Sequence, residues 1–524
     1  MPSTASASRK LTEPSSSQVT GAPPEATSET LAFRCFWLLV IYAFARNLFA
    51  AAAKPLWYDE MYTVVVSHQP SWKAVWNALI VTKDGNPPGF YFIERVFSSL
   101  LANEQISYRL ASILGFCCVL VCVFLAIRAT DGSLRALICS APLLLTPLFR
   151  PYAVEARPYC AVAACAAIAV LCYQHAPRWP WMILLAASFM AAESMHYLAL
   201  FGFIPFGIAE LAILIRARKI RWSVWIALAA GLVPVAALWP LSSAMRRFYG
   251  THIWSPPSLF GLANMYSLLF KVFAPLALAV LAATVVLVLA ATPTANEVSP
   301  QRFLSEIGGR WAAIAFLGVP AYLYLFTKVM HGVYTERYAL VTLLGIPLCA
   351  AFVLRLFPRK DVAVAGSIVF VALLLQEMFF LPNAVRAAHN FVPPSNAIES
   401  FVARVGHPDL PVVISDGQDY FPLPHYSHDA TRFVFLVDPP QAAAYTGSDI
   451  VDLQLGTLRC CRPFQIYEFK DFAPQHPSFL LYSSGGEFDW WPARLLNDGD
   501  SLQLLAADQN RRIYLVRMKP NGKP

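Results

Sequence analysis

The chain has 524 residues, of which 57% are hydrophobic and only 14% charged, and its mean hydropathy is +0.51. Soluble domains carry about 25% charged residues, so this composition excludes an ordinary soluble protein. The net charge of +8 lies in loops between apolar runs, with no basic cluster interleaved with aromatics, and reads as a topological bias rather than a nucleic-acid footprint.

Residues 1–30 are rich in Ser, Thr, Pro and Ala and carry almost no large apolar side chain, which predicts a disordered, cytoplasmic N-terminus. The apolar segment 31–53 is too long for a signal-peptide core and reads as a retained first span. Apolar runs of roughly 15–25 residues then recur as far as residue 381, as repeated bilayer crossing requires. Further spans are expected at 108–127, 134–149, 159–173, 181–195, 198–215, 224–241, 265–290, 311–330, 338–356 and 362–381. The stretch 90–101 is apolar but short, and Glu94-Arg95 interrupts it.

Charge parity orients the set. The basic loops 216–221 and 355–360 belong on the cytoplasmic side and lie four crossings apart. Keeping Arg9, Lys10 and Arg34 on that side requires 90–101 to lie in the interface. About eleven spans follow, with the N-terminus inside and the C-terminus outside. Asp59, Glu60, Asp84, Arg109, Glu155, Arg157, His196, Arg246, Arg247, Glu336 and Arg337 then share the extracytoplasmic side.

Beyond residue 381 the hydrophobic runs shorten to strand length, at 411–415, 433–438, 479–483, 502–507 and 512–517, after a helix-like stretch at 395–405. A C-terminal extracytoplasmic α/β domain over 382–524 is expected. Most of the 11 cysteines, such as Cys117, Cys118, Cys122, Cys160 and Cys165, sit in apolar spans as small hydrophobes. Cys460-Cys461 is the exception; a vicinal disulfide is strained, so free thiols or an external partner are at least as favourable. No Cys/His spacing resembles a zinc site, and no internal repeat of the kind transporters carry is visible.

The chemistry-bearing motifs cluster at span ends. Leu56-Trp57-Tyr58-Asp59-Glu60 follows the first span, and Lys83-Asp84-Gly85-Asn86-Pro87-Pro88 follows a short loop later. Asp59 is a candidate general base, because a partly desolvated carboxylate can take a proton from a hydroxyl; the plainer alternative is a helix cap. Glu60 could bind an acceptor, hold a cation or pair with an arginine. Glu155-Ala156-Arg157-Pro158-Tyr159 and Glu336-Arg337-Tyr338 each put an arginine at a span end. There it could grip a phosphate bidentately or simply snorkel beside tyrosine. His196-Tyr197 joins two spans and could hydrogen-bond a sugar or phosphate, although a structural role is the commoner one for such a histidine. Glu193 would be costly in lipid and is expected to face the cavity, while Arg246-Arg247 lines its mouth or is a plain surface pair. Neither a Gly-rich phosphate loop nor a nucleophile elbow occurs, which disfavours a soluble nucleotide-sugar enzyme.

Together these motifs, over about residues 31–381, resemble those of the GT-C glycosyltransferases, in particular the protein O-mannosyltransferase and lipid A aminoarabinose transferase group. That resemblance implies a polytopic helical module with its catalytic loop at 54–107 and the active site outside a bacterial-type inner membrane. It implies an inverting transfer from a polyprenyl-phosphate sugar to a hydroxyl of an acceptor lipid, glycan or protein, with polyprenyl phosphate leaving. Asp59 takes the place of the catalytic base with Glu60 beside it, and Arg337 and Arg157 hold the lipid phosphate. Asp84, Glu155, His196, Tyr197, Glu336 and Tyr338 fall among the substrate-binding positions. Related mannosyltransferases often carry His where this chain has Asn86, so no role is carried over to that position. Some relatives use a divalent cation. The rival readings are a transporter or lipid flippase, and a polymer-export component whose C-terminal domain does the work.

Overall fold

The computed structural model describes residues 24–519 except 83, 147, 250–254, 271–273, 291–299 and 460, so Cys460 and residues 1–23 lie outside the described residues. Helix α1 (Pro24–Ala53) begins inside the stretch expected to be disordered. Its first turns are fixed because Glu29 accepts a hydrogen bond from the backbone N–H of Ser133 and pairs with Arg359. Five helices are long and apolar enough to cross a membrane: Ser28–Ala53, Leu110–Leu145, Tyr197–Ala217, Glu336–Leu354 and Arg359–His389. Two bent pairs qualify only when each is joined, Trp222–Ala237 with Trp239–Phe248 and Gln301–Leu317 with Val319–Met330. Tyr159–Tyr173, Leu259–Leu269 and Val280–Ala290 are apolar but shorter. This is an integral membrane protein, though these lengths do not establish the eleven spans expected. The long helix from Leu110 is itself broken at Gly132, whose φ of 83° lies in the region open to glycine, between the two segments expected at 108–127 and 134–149.

Three shorter helices follow α1: α2 (Tyr58–Ser67), α3 (Trp72–Thr82) and α4 (Pro88–Ser98). With 11 residues, α4 is about 16 Å long and cannot cross a hydrocarbon core of about 30 Å. It is amphipathic: Glu94 is buried inward, while Phe92 and Val96 are exposed. A Cβ on Gly89 would come within 2.5 Å of the Ser194 carbonyl oxygen, so glycine permits α4 to lie against the helix Trp179–Met195.

Polar contacts sort into two ends of the bundle. At one end Arg355 pairs with Asp131 and Glu306, and Glu306 also pairs with Arg310. At the other lie Asp59, Arg157 and Arg337.

The C-terminal part is a six-stranded sheet: β1 (Val412–Ile414), β2 (Phe433–Val437), β3 (Ile466–Glu468), β4 (Ser478–Ser483), β5 (Ser501–Asp508) and β6 (Arg511–Arg517), in the order β3-β2-β1-β4-β6-β5. The first four strands are parallel where they pair, and β6 runs antiparallel to both β4 and β5. Strands β1, β2 and β4 read as continuous apolar runs because both faces are covered. Val413, Val434, Leu436, Phe479 and Leu481 face one layer, with Trp491 and Leu495. On the other face Val412, Ile414, Phe435, Leu480 and Tyr482 share a core with Leu56, Tyr58, Met61, Tyr62 and Val65 of the α2 region. Thus the sheet packs directly on the helix that begins with Tyr58-Asp59-Glu60. Phe421 meets the rings of Tyr58 and Tyr62 edge-on at 5.4 and 4.9 Å, Tyr58 O–H donates to Gln454 Oε1 (3.0 Å), and Leu56 N–H donates to Tyr426 Oη (2.8 Å).

Candidate active site

Asp59 and Glu60 occupy the first turn of α2, where carboxylates favour the positive helix end. Their side chains diverge. Glu60 is fully buried and forms a bidentate pair with Arg109, Nε to Oε1 at 2.8 Å and Nη2 to Oε2 at 2.6 Å. It also accepts from the N–H of Ala156 (2.7 Å) and of Trp57 (3.2 Å). Arg109 spends its remaining donors on the carbonyls of Ala51, Lys54 and Pro55, closing the end of α1. Burial alone would raise the Glu60 carboxyl, but the Arg109 guanidinium holds it below the usual range. Of the three roles open to Glu60, the arginine pair is the one realised, and it ties together α1, α2 and the loop before Tyr159.

The Asp59 carboxylate instead pairs through Oδ2 with Arg337 Nη1, and both side chains keep some exposure, 19% and 14%. Arg157 Nη1 donates to the Asp59 carbonyl oxygen at 3.1 Å, so the two arginines approach one residue through its side chain and its backbone. Arg157 Nε is buried with no partner among the described residues. Burial works against the Arg157 charge, but Tyr159, Asp59, Tyr91 and Asp84 together push its pKa up, so it stays a cation.

Asp84 accepts hydrogen bonds from Tyr91 O–H (2.5 Å) and from the backbone N–H and side-chain amide of Asn86 (2.9 and 3.3 Å). Burial raises its pKa, against the charge of Arg157 and these donors. Asn86 thus serves to orient Asp84, which gives it a structural role here.

Behind Arg337 a small cleft is lined by Tyr159, His196, Leu198, Tyr338 and Val341. The His196 ring lies 5.7 Å from that of Tyr159 and 5.0 Å from that of Tyr338. Its Nδ1 accepts from the Leu198 N–H at 3.1 Å, which leaves the proton on Nε2 as a free donor. Burial, with Arg157 and Arg337 nearby, pushes the imidazole pKa down to about 3, so the ring is neutral. Glu336, next to Arg337 in sequence, accepts from Tyr152 O–H (3.2 Å) and Thr335 O–H (3.1 Å). Glu155 pairs with Lys54 at 3.4 Å; burial raises its pKa despite that lysine, and its Oε2 has no partner among the described residues. Tyr197 turns away from the cleft and packs on the apolar cluster of Val66, Leu79, Tyr91 and Leu241. Glu193 is buried one turn before His196, while Arg246 and Arg247 are exposed.

Asp59, Arg157, Arg337, His196 and Tyr338 therefore converge, Asp84 adjoins them through the field of Arg157, and Glu60, Glu155 and Tyr197 form the supporting layer. Sequence reasoning missed Arg109 as the partner of Glu60. Its place at the mouth of an expected span, where a charge must find compensation, is the signal that could have identified it. It also missed the contact of Tyr58 with the C-terminal part. Among the described residues no group of three or more His, Cys, Asp or Glu is placed to share a metal ion.

No protein-family model matches the sequence, and no curated protein does so. Solved structures do. ArnT from Cupriavidus metallidurans in the apo state superposes with a TM-score of 0.57 at 16% identity, covering 94% of this chain and 98% of that one. The same protein bound to undecaprenyl phosphate gives 0.56 at 15% identity, over 91% and 97%. A weaker likeness, TM-score 0.45 at 8% identity, links 91% of this chain to 74% of the Archaeoglobus fulgidus oligosaccharyltransferase. Over 94% of its length the chain shares the fold of ArnT, in keeping with the polytopic helical fold that the resemblance of its span-end motifs implies.

Proposed function

We propose that the protein transfers a sugar from a polyprenyl-phosphate donor to an acceptor hydroxyl on the extracytoplasmic face of the membrane. The observation that carries this reading is the contact of Asp59 with two arginines, one of which, Arg337, lines the small cleft beside Tyr159, His196 and Tyr338. Arg337 and Arg157 supply planar donors for a phosphate, and the buried, unpaired Nε of Arg157 is one such donor. When a donor phosphate takes up Arg337, the Asp59 carboxylate is released from its ion pair and can accept a proton. The acceptor oxygen then bonds to the anomeric carbon as its proton passes to Asp59. The bond from that carbon to the phosphate oxygen breaks, and polyprenyl phosphate leaves with the electron pair and with its charge held by the arginines. Neutral His196 offers an Nε2–H to a sugar hydroxyl or phosphate oxygen beside Tyr159 and Tyr338. No step is routed through a divalent cation, because the carboxylates at the site are separately engaged: Glu60 by Arg109, Asp84 by Tyr91 and Asn86.

The likeness to ArnT, one structure of which holds undecaprenyl phosphate, supports a lipid-phosphate donor. The concentration of informative charges at one end of the bundle, instead of mid-span, favours this reading over a transporter. The test is to incubate protein in nanodiscs with polyprenyl-phosphate sugars and a lipid extract as acceptor, and to follow free polyprenyl phosphate by mass spectrometry. Release above an empty-nanodisc control supports transfer; its absence with every donor and acceptor contradicts it. Sidedness is tested by labelling from outside, which should reach Asp84→Cys and His425→Cys and miss Lys219→Cys.

A further inference from the structure

A second arginine cluster lies apart from the transfer site, where α1 meets the helix Arg359–His389. Arg46 Nη1 and Arg150 Nη2 both reach Glu377 Oε1, at 3.3 and 3.1 Å, and Tyr42 O–H donates to Glu377 Oε2 at 2.7 Å. Both guanidiniums stack on Phe380, at 5.5 and 3.4 Å from its ring centre. Two cations thus meet one carboxylate, and among the described residues no other acid pairs with either arginine. Donors are in excess as well as charge. Asn47 Oδ1 accepts from Arg46 Nε and Nη2 at 3.2 and 2.9 Å, but Asn47 Nδ2 and Arg150 Nε are buried with no partner among the described residues.

Location makes this imbalance informative. Arg46 precedes the end of α1 at Ala53 by seven residues, about 10 Å along the axis, on the side of the bundle that carries Asp59. Arg150 keeps 20% exposure, and the flanking surface is apolar: Leu38 and Ile41 on α1, Leu374, Leu375 and Met378 on its neighbour. An uncompensated guanidinium beside lipid is costly unless an anion reaches it.

We infer that Arg150, backed by Arg46, forms a subsite for the phosphate of an anionic membrane lipid, whose chain lies along α1 and the helix Arg359–His389. It is separate from Arg337 and Arg157, although the turn Phe149–Tyr152 touches both sites, since Tyr152 donates to Glu336 while Arg150 faces Glu377. The inference stands on charge and packing and does not require the transfer reading.

Native mass spectrometry of the full chain tests it, with Arg337→Ala as background so that the transfer site contributes least. The probes are undecaprenyl phosphate and phosphatidylglycerol, titrated separately, and the probe that binds more tightly identifies the source of the phosphate. Arg150→Gln should weaken binding of at least one probe about tenfold, the scale of one lost charge-assisted contact. Glu377→Gln, which removes the acid and leaves both guanidiniums, should bind at least as tightly as the background. Unchanged binding of both probes by Arg150→Gln, or weaker binding by Glu377→Gln, would overturn the subsite.

Discussion

The two ion pairs at the start of α2 are made by adjacent acids and have opposite characters. Glu60–Arg109 is sealed at 0% exposure on both sides; the backbone N–H groups of Ala156 and Trp57 donate to Glu60, and the Pro55 carbonyl accepts from Arg109. Asp59–Arg337 stands at the edge of a cleft and bridges two distant parts of the chain, with a second arginine bound only to the backbone. A pair that is dry and saturated can hold a scaffold but cannot exchange partners. A pair that is partly wet can open when an anion competes for the arginine. On the proposed reading, the difference separates the residue that builds the site from the residue that works in it.

The sharpest way to break this contrast is at Glu60. Glu60→Gln leaves the Arg109 charge buried and unpaired, which costs about 3–5 kcal/mol. Folded yield in detergent and thermal stability should therefore collapse. The pH dependence has a defined sign: the folded carboxyl titrates below its unfolded value of about 4.3. Its contribution is present above that value and is lost as pH falls through the lower folded pKa. A well-folded, fully stable Glu60→Gln protein would place Glu60 outside the scaffold.

Arg337 comes next. Arg337→Ala should lower turnover about 10²–10³-fold, as for loss of one oxyanion donor, at near-normal protein level. Arg337→Lys should still impair the reaction, because a point charge replaces a planar fork. Near-normal turnover of the lysine variant would make Arg337 an interface anchor and move the phosphate role to Arg157.

A smaller effect is expected at His196. Its pKa near 3 lies below the unfolded value of about 6.5, so its contribution is full above 6.5 and declines as pH falls from there toward 3. His196→Gln should flatten the stability profile in that window, measured by thermal unfolding from pH 7 to pH 4; an unaltered slope would mean that the ring takes up its proton equally in the folded and the unfolded chain.

The smallest effect sharpens the link to the C-terminal sheet. Tyr426→Phe removes the acceptor for Leu56 N–H and should cost about 1–3 kcal/mol. It should also lower turnover modestly, since Leu56 leads into α2. Equal stability of the two proteins would show that this hydrogen bond is dispensable.

Much of this was legible in the sequence for identifiable reasons. Apolar runs of strand length gave β1, β2, β4, β5 and β6 nearly in place; β1, β2 and β4 stand out most, because strands covered on both faces carry few polar interruptions. The strand β3, Ile466–Tyr467–Glu468, was missed because only Ile466 is buried in it. Charges at span ends pointed to Asp59, Arg157, His196 and Arg337, since lipid admits so few. Side-chain direction was not legible: Asp59 and Glu60 are neighbours in sequence, and only the folded position of Arg109 distinguishes them. Nor could periodicity show that Phe421 and Gln454, more than three hundred residues away, complete the core under Tyr58.

The most direct test of the account compares wild type with Asp59→Asn at matched protein level, measuring turnover of a polyprenyl-phosphate sugar and binding of the same lipid in parallel. Asparagine keeps the shape of Asp59 but cannot take the acceptor proton, so turnover should fall about 10²–10⁴-fold while donor binding is retained. Turnover above about a tenth of wild type would contradict the assignment, given the usual contribution of a general base.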